Sequence, residues 1–193
     1  MELVTFLLFS TLEVLAVFVF MMVFFRENPM DYIWQAVSIS VLMGLQSYFL
    51  RELELGYVAT VINLMFYVLI LAAIVRLPLI WAAIISGVGF FSYGIVQALM
   101  LAIVGGELLQ LISSILFLVI SYALYKFGLG FEAPYDLFRL PGEKNVVVSV
   151  ILVSFVLMTI AMYVQLSWVN IMFFGAASAL FIYYAVRKER EDK

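Results

Sequence analysis

The sequence contains neither cysteine nor histidine. Without cysteine the chain can form no disulfide and no thiolate metal site. Without histidine it lacks the commonest general base and metal ligand, so Ser-His catalysis, Cys-His catalysis and the zinc-protease motif are excluded. A phosphate-binding loop of the form G-x-x-x-x-G-K-[ST] is also missing. We therefore predict a non-catalytic protein without a metal or cofactor, and acid–base chemistry by Glu13 alone is the remaining enzymatic alternative.

Charge is also scarce, since only 12% of the 193 residues are charged and the net charge is −3. An acidic chain lacks the basic footprint that nucleic acids require, so a nucleic-acid partner is excluded. Hydrophobic residues make up 67% of the chain and fall in long uninterrupted runs. Runs of about 20 residues match the thickness of a bilayer. The predicted fold is a single all-α domain, a polytopic integral membrane bundle whose main partner is the lipid bilayer.

Seven membrane-length runs can be delimited, although six crossings remain an alternative. Charges, prolines and glycines interrupt the apolar sequence at each boundary. The predicted spans are residues 3–25, 32–50, 55–75, 79–104, 108–127, 146–164 and 168–186.

The basic residues indicate the orientation of these spans. If successive spans alternate in direction, nine of the ten basic residues fall on one side of the membrane, and Arg51 alone falls on the other. Basic residues near span ends are retained in the cytoplasm. We therefore predict an external N-terminus and a cytoplasmic C-terminus. The charge bias and the lack of cysteine favour the plasma membrane of a bacterium.

Glu13 is the most unusual residue because it lies near the centre of the first span. A charged carboxylate there costs about 2.5 kcal/mol or more, so it should be protonated or hydrogen-bonded to neutral groups such as Asn63 and Gln97. With the predicted orientation, several amides share the outer half of the membrane. The candidate ligand-pocket residues are Glu13, Gln46, Asn63, Gln97, Gln110 and Asn170. They indicate an outward-facing pocket, interhelical hydrogen bonding, or a proton path through Glu13.

Small residues recur four positions apart in two spans. Ala83 and Gly87 form one such pair, Gly94 follows in the same span, and Gly175 and Ala179 form a second pair. Small-xxx-small pairs allow helix backbones to approach closely. We predict that these five residues are helix-packing positions.

Two segments are predicted to lie in the cytoplasm. Residues 128–145 form a polar loop and residues 187–193 a charged tail. The loop is either a connector on the membrane surface or, together with the tail, a contact for a cytoplasmic or membrane protein partner.

The layout resembles the membrane-embedded sensor region of peptide-sensing histidine kinases of the accessory-gene-regulator type. The shared features are about 190 residues in six or seven spans, short outer loops, and a charged helical exit after the last span. The resemblance implies a receptor-like module that recognises an extracellular small molecule or peptide. The sequence shows no kinase region after the last span, so we expect either that a separate protein carries the output or that the chain is a truncated or stand-alone relative. The alternatives are a substrate-binding subunit of an importer and an accessory subunit of a membrane complex.

Overall fold

The computed structural model describes residues 3–101, 103–104, 107–131, 143–164 and 167–192. Most of the predicted cytoplasmic loop, residues 132–142, lies outside the described residues. Seven long helices make up the described part of the chain. They are α1 (Leu3–Phe24), α2 (Ile33–Glu52), α3 (Gly56–Leu69, extended by a π-helical turn, Ile70–Ile74), α4 (Leu79–Leu101), α5 (Glu107–Phe127), α6 (Glu143–Val164) and α7 (Ser167–Asp192). A short 3₁₀ helix, Pro29–Tyr32, precedes α2.

Six of these helices, counted over the described residues, are long and apolar enough to cross a bilayer. The exception is α6, whose apolar segment Ile151–Ile160 is shorter. The predicted all-helical, polytopic membrane fold is thus confirmed. A seventh crossing through α6 remains a prediction, and so does the orientation of the bundle.

Helices that are consecutive in the sequence run in alternating directions, which brings the basic residues together. Arg26, after α1, donates from Nη2 to the Gly128 carbonyl after α5, at 3.2 Å. Trp81 at the start of α4 lies 6.5 Å, ring to ring, from Tyr184 near the end of α7. We call this the Arg26 end, and the opposite end the Arg51 end. The basic residues at or near the Arg26 end include Arg26, Arg76, Lys126 and Arg187.

Two helices form the centre of the bundle. The most apolar windows of α1 and α4 are each 56% buried, against 22–28% for the other candidate spans. Rings and sulfur side chains of α1 fill the core, with Phe20 only 4.2 Å, ring to ring, from Phe117 of α5. The remaining helices present large apolar side chains outward, as expected for surfaces in contact with lipid.

Three helices end in the same hydrogen-bonded turn. After α2, the Glu54 N–H bonds to the Arg51 carbonyl at 3.0 Å and the Leu55 N–H bonds to the Leu50 carbonyl at 2.8 Å. This Schellman motif requires a left-handed residue, and Glu54 adopts φ 61°. Arg26 after α1 and Gly128 after α5 occupy the equivalent position, with φ 58° and 63°.

Glycine at this position avoids the steric cost of about 1–2 kcal/mol that an L-side chain meets there. Glu54→Gly is therefore expected to raise the free energy of unfolding by about 1 kcal/mol, measured by unfolding in detergent. The control is Glu52→Gly, which removes the same charge but places glycine at the last, right-handed residue of α2, where it should cost up to about 1 kcal/mol. A loss of stability in both variants would contradict the role of Glu54.

Candidate functional site

The Glu13 side chain lies where α1 faces α4. The Gln97 amide of α4 is within hydrogen-bonding reach of the Glu13 carboxyl, and the charge of Arg51 also acts on this carboxyl. The Arg51 guanidinium lies over the ring of Phe6, 5.3 Å from its centre, which is a cation–π arrangement. Of the neutral partners expected for Glu13, Gln97 is therefore present. Arg51 stands at the end of α2, and its long side chain brings a positive charge toward Glu13 as well.

Two buried tyrosines lie next to this pair. The Tyr67 hydroxyl of α3 donates to the Val14 carbonyl of α1 at 3.2 Å. The Tyr93 hydroxyl of α4 lies 3.0 Å from Ser113 Oγ and 3.3 Å from Ser114 Oγ of α5. Both serine hydroxyls already donate to carbonyls of their own helix at 2.6 Å, so Tyr93 is the donor to them. Four helices therefore meet in one polar layer.

We name this layer the Glu13 cluster. Its members are Glu13, Tyr67, Tyr93, Gln97, Ser113 and Ser114. Glu13 and Gln97 are partly exposed, whereas both tyrosines are buried. The next turns toward the Arg26 end are apolar and almost fully buried, with Val17, Phe18, Met21, Val88 and Phe91. The cluster thus combines a partly buried carboxyl–amide pair with an apolar layer on one side.

Two of the other predicted pocket residues lie on the α2–α3 side. The Asn63 amide donates to Ser47 Oγ at 3.0 Å and its oxygen accepts from the same hydroxyl at 3.3 Å. This is the interhelical hydrogen bonding that was one alternative for the amides, and it directs Asn63 to Ser47. Both amide atoms of Gln46 are buried without a hydrogen-bond partner among the described residues.

The last two pocket candidates lie on α5 and α7. Gln110 is buried, and its backbone carbonyl accepts the Ser114 hydroxyl. Asn170 is partly buried, and its Oδ1 has no partner in the described part of the chain. The structure therefore brings Glu13 and Gln97 together, joins Gln110 to the cluster through its backbone, and places Asn63 in a separate bond.

The small residues of α4 and α7 differ in their surroundings. A Cβ at Gly87 would lie 3.3 Å from the Phe181 ring, and one at Gly94 would lie 3.1 Å from the Phe174 ring, so both glycines admit α7 side chains. Ala83 is partly buried on the same helix.

The second predicted pair behaves differently. Gly175 has open space where a Cβ would stand, and Ala179 is exposed. Among the described residues, no atom lies within 4 Å of a Cβ added at Gly175, unlike at Gly87 and Gly94.

Sequence reasoning did not assign Tyr67, Tyr93 or the two serines to the site, and it singled out Arg51 only for the orientation of the spans. A signal was present, because Tyr93 precedes Gln97 and Tyr67 follows Asn63 by one helical turn, and side chains four positions apart share a helix face. Tyr93 thus marks the face of α4 that carries Gln97, and Tyr67 marks the face of α3 that carries Asn63.

Together, the six candidate spans and the buried polar cluster define the chain as a multi-pass α-helical membrane protein. No protein-family model, no curated protein and no solved structure matches it. In the described residues, no group of three or more acidic side chains comes together to hold a metal ion.

Proposed function

We propose that this protein is a receptor-like sensor module. In this proposal, an extracellular small molecule or peptide binds at the Glu13 cluster and displaces α4. The displacement of α4 then moves α7. One observation carries the proposal: α4 holds Gln97 against Glu13 and also interlocks with α7. A hydrogen-bond donor or cationic group on the ligand would pair with the Glu13 carboxyl, and Gln97 would orient it.

The packing between α4 and α7 favours transmission. Phe174 and Phe181 of α7 fit against Gly94 and Gly87 of α4, and both rings contact Phe91 at 6.0 and 5.7 Å between ring centres. Ser92 and Ser178 add a hydrogen bond of 2.8 Å between the same helices. Close-packed interfaces shift between discrete arrangements instead of deforming smoothly, so a displacement of α4 would move α7.

The end of α7 extends out of the bundle, so a movement of this helix could be detected by another protein. The helix continues through Arg187 to Asp192, beyond its last apolar residues. A cytoplasmic partner bound to this end would respond to a displacement of the helix. A transport role would call for polar groups across the full depth of the bundle. The apolar layer beside the cluster, with Val17, Met21 and Val88 almost fully buried, argues against a path through α1 and α4.

A distance measurement between two spin labels tests this coupling. Because the sequence has no cysteine, Met30→Cys and Tyr183→Cys place two labels on exposed positions at the Arg26 end. We expect Glu13→Gln to shift the distance distribution by about 1–2 Å, the scale of helix shifts in switching proteins.

Glu54→Gln is the matched control, since it removes the same charge at an exposed helix end. It should leave the distribution unchanged. If folded Glu13→Gln protein gave the distribution of the parent, the coupling would be absent and the sensor proposal would be wrong.

A further inference from the structure

The tyrosine hydroxyls of the Glu13 cluster donate their protons away from Glu13. The Tyr67 hydroxyl donates to the Val14 carbonyl at 3.2 Å, and the Tyr93 hydroxyl donates to the serine pair of α5. A tyrosine has a single O–H proton. Neither ring therefore donates to Glu13, although the charge of Glu13 acts on both of them.

The two serines of α5 use their protons within their own helix. Ser113 and Ser114 each donate to a backbone carbonyl of α5 at 2.6 Å. Among the described residues, the Gln97 amide is thus the neutral donor within reach of the Glu13 carboxyl. What this layer can offer a ligand is mainly acceptors, namely two carboxyl oxygens of Glu13 and the amide oxygen of Gln97.

These three acceptors match a primary ammonium group. Such a group has three N–H donors and no acceptor, so each oxygen can take one proton once the Gln97 side chain turns its oxygen toward the ligand. Hydrogen bonds between an ionised donor and an ionised acceptor are shorter and about twice as strong as neutral ones. A quaternary ammonium ion carries the same charge but has no N–H donor, so it cannot form these bonds.

The positive charge that already acts on Glu13 belongs to Arg51. The Arg51 guanidinium lies over the Phe6 ring, 5.3 Å from its centre. Phe6 and Glu13 lie two helical turns apart on one face of α1, about 10 Å along its axis. Arg51 thus acts on the carboxyl from the Arg51 end of the bundle, and it forms no direct ion pair within the part of the chain that the structure describes.

The surface next to Arg51 is negative. Glu52 and Glu54 are exposed at the end of α2, so two carboxylates lie beside one guanidinium. Clustered charges of one sign raise the local concentration of ligands of the opposite sign. The Arg51 end therefore favours the approach of a cation over that of an anion.

We propose that the ligand of the Glu13 cluster carries a primary ammonium group, which competes with Arg51 as the counter-charge of Glu13. The ammonium group bonds to Glu13 and Gln97. The rest of the ligand extends toward the Arg51 end, because the apolar layer with Val17 and Met21 is almost fully buried on the other side. This inference rests on the binding site named in the proposed function and adds the chemical class of its ligand.

Thermal unfolding of the protein in a non-ionic detergent tests this ligand class. Methylammonium chloride is titrated alongside tetramethylammonium chloride and sodium chloride at equal ionic strength. A ligand that binds only the folded state raises the unfolding midpoint, so we expect a saturable rise with methylammonium and none with the other two salts. Alanylalanine amide is titrated in parallel, and whichever amine binds more tightly shows whether the ammonium group belongs to a peptide or to a small amine.

Substitution of Arg51 should strengthen binding, which damage to the fold would not do. Arg51→Gln removes the competing cation and should tighten methylammonium binding roughly tenfold, as Coulomb's law gives for two unit charges about 10 Å apart at an effective dielectric constant of about 20. Arg51→Lys keeps the charge and should leave the affinity near that of the parent. Glu13→Gln should abolish the binding.

An equal response to the three salts would reveal only an effect of ionic strength and would overturn the proposal, as would weaker binding by Arg51→Gln. These results are distinct from a failure of the sensor function. If Glu13→Gln shifted the distance between the two spin labels but methylammonium did not bind, sensing would stand and the ligand class would be wrong. If methylammonium bound but the distance did not shift, the ammonium site would stand without the sensor function.

Discussion

Gly89→Leu is expected to disrupt the bundle, because Gly89 of α4 packs directly against the Met21 side chain of α1. A Cβ at this position would overlap the Met21 side chain, starting at its Cγ. Met21 is fully buried and Cγ lies next to the Met21 backbone, so the contact cannot be relieved by moving only the end of the side chain. Overpacking of a close-packed core costs about 1–3 kcal/mol and occasionally more. The measurement is the unfolding midpoint and the yield of monodisperse protein in detergent.

Gly175→Leu is the matched control for this variant. It makes the same replacement in a membrane helix, but at a glycine where the added Cβ has no atom of the described residues within 4 Å, so its effect on stability should be small. A milder test combines Gly89→Ala with Met21→Ala. If the clash is the cause, the double variant should be more stable than the sum of the single losses predicts. Additive losses, or equal damage from the two leucine variants, would contradict this packing.

Labelling of single cysteines is expected to show two classes of positions. One class reacts in intact cells, and the other reacts only after the membrane is opened. Leu53→Cys and Trp168→Cys lie at the Arg51 end, with 67% and 79% of their side chains exposed in the parent. Both should react with a membrane-impermeant maleimide in intact bacterial spheroplasts. Met30→Cys and Phe127→Cys, at 70% and 72% exposed and at the Arg26 end, should react only after the membrane is opened. The reason is that clustered Lys and Arg residues are retained in the cytoplasm.

The absence of native cysteine makes this experiment clean, since the parent protein supplies a blank at every step. Labelling after solubilisation shows that each thiol is reactive when accessible, which controls for local effects on its reactivity. If the Arg26-end positions reacted from outside and the Arg51-end positions did not, the orientation would be inverted. The Glu13 cluster would then lie nearer the cytoplasmic side of the apolar layer, and an extracellular ligand could not reach it.

The helices were predictable from sequence because a bilayer requires long apolar runs with few charges. Their arrangement was not. The apolar face of α1 extends all round the helix, so nothing in its composition distinguishes a central helix from one surrounded by lipid. Lipid tails are as apolar as leucine, and the contrast that marks a buried face in a water-soluble protein is missing here.

The same limit applied to the small residues and to the site. Gly87 and Gly175 stand in similar sequence patterns, yet one receives a phenylalanine ring and the other faces open space. The meeting of Glu13 with Gln97 could be anticipated from their similar depth in the membrane. The action of Arg51 on the same carboxyl could not, because a basic residue at a helix end is expected to extend toward the headgroups.

The central position of α1 has a consequence for how the protein is made. Glu13 leaves the ribosome roughly 80 residues before Tyr93 and Gln97, which at about 5–20 residues per second is a delay of about 4–16 s. During that interval α1 has no α4 beside it, and its carboxyl would face lipid at a cost of about 2.5–3.5 kcal/mol. We therefore expect α1 to stay at or beside the insertion machinery until α4 has been synthesised.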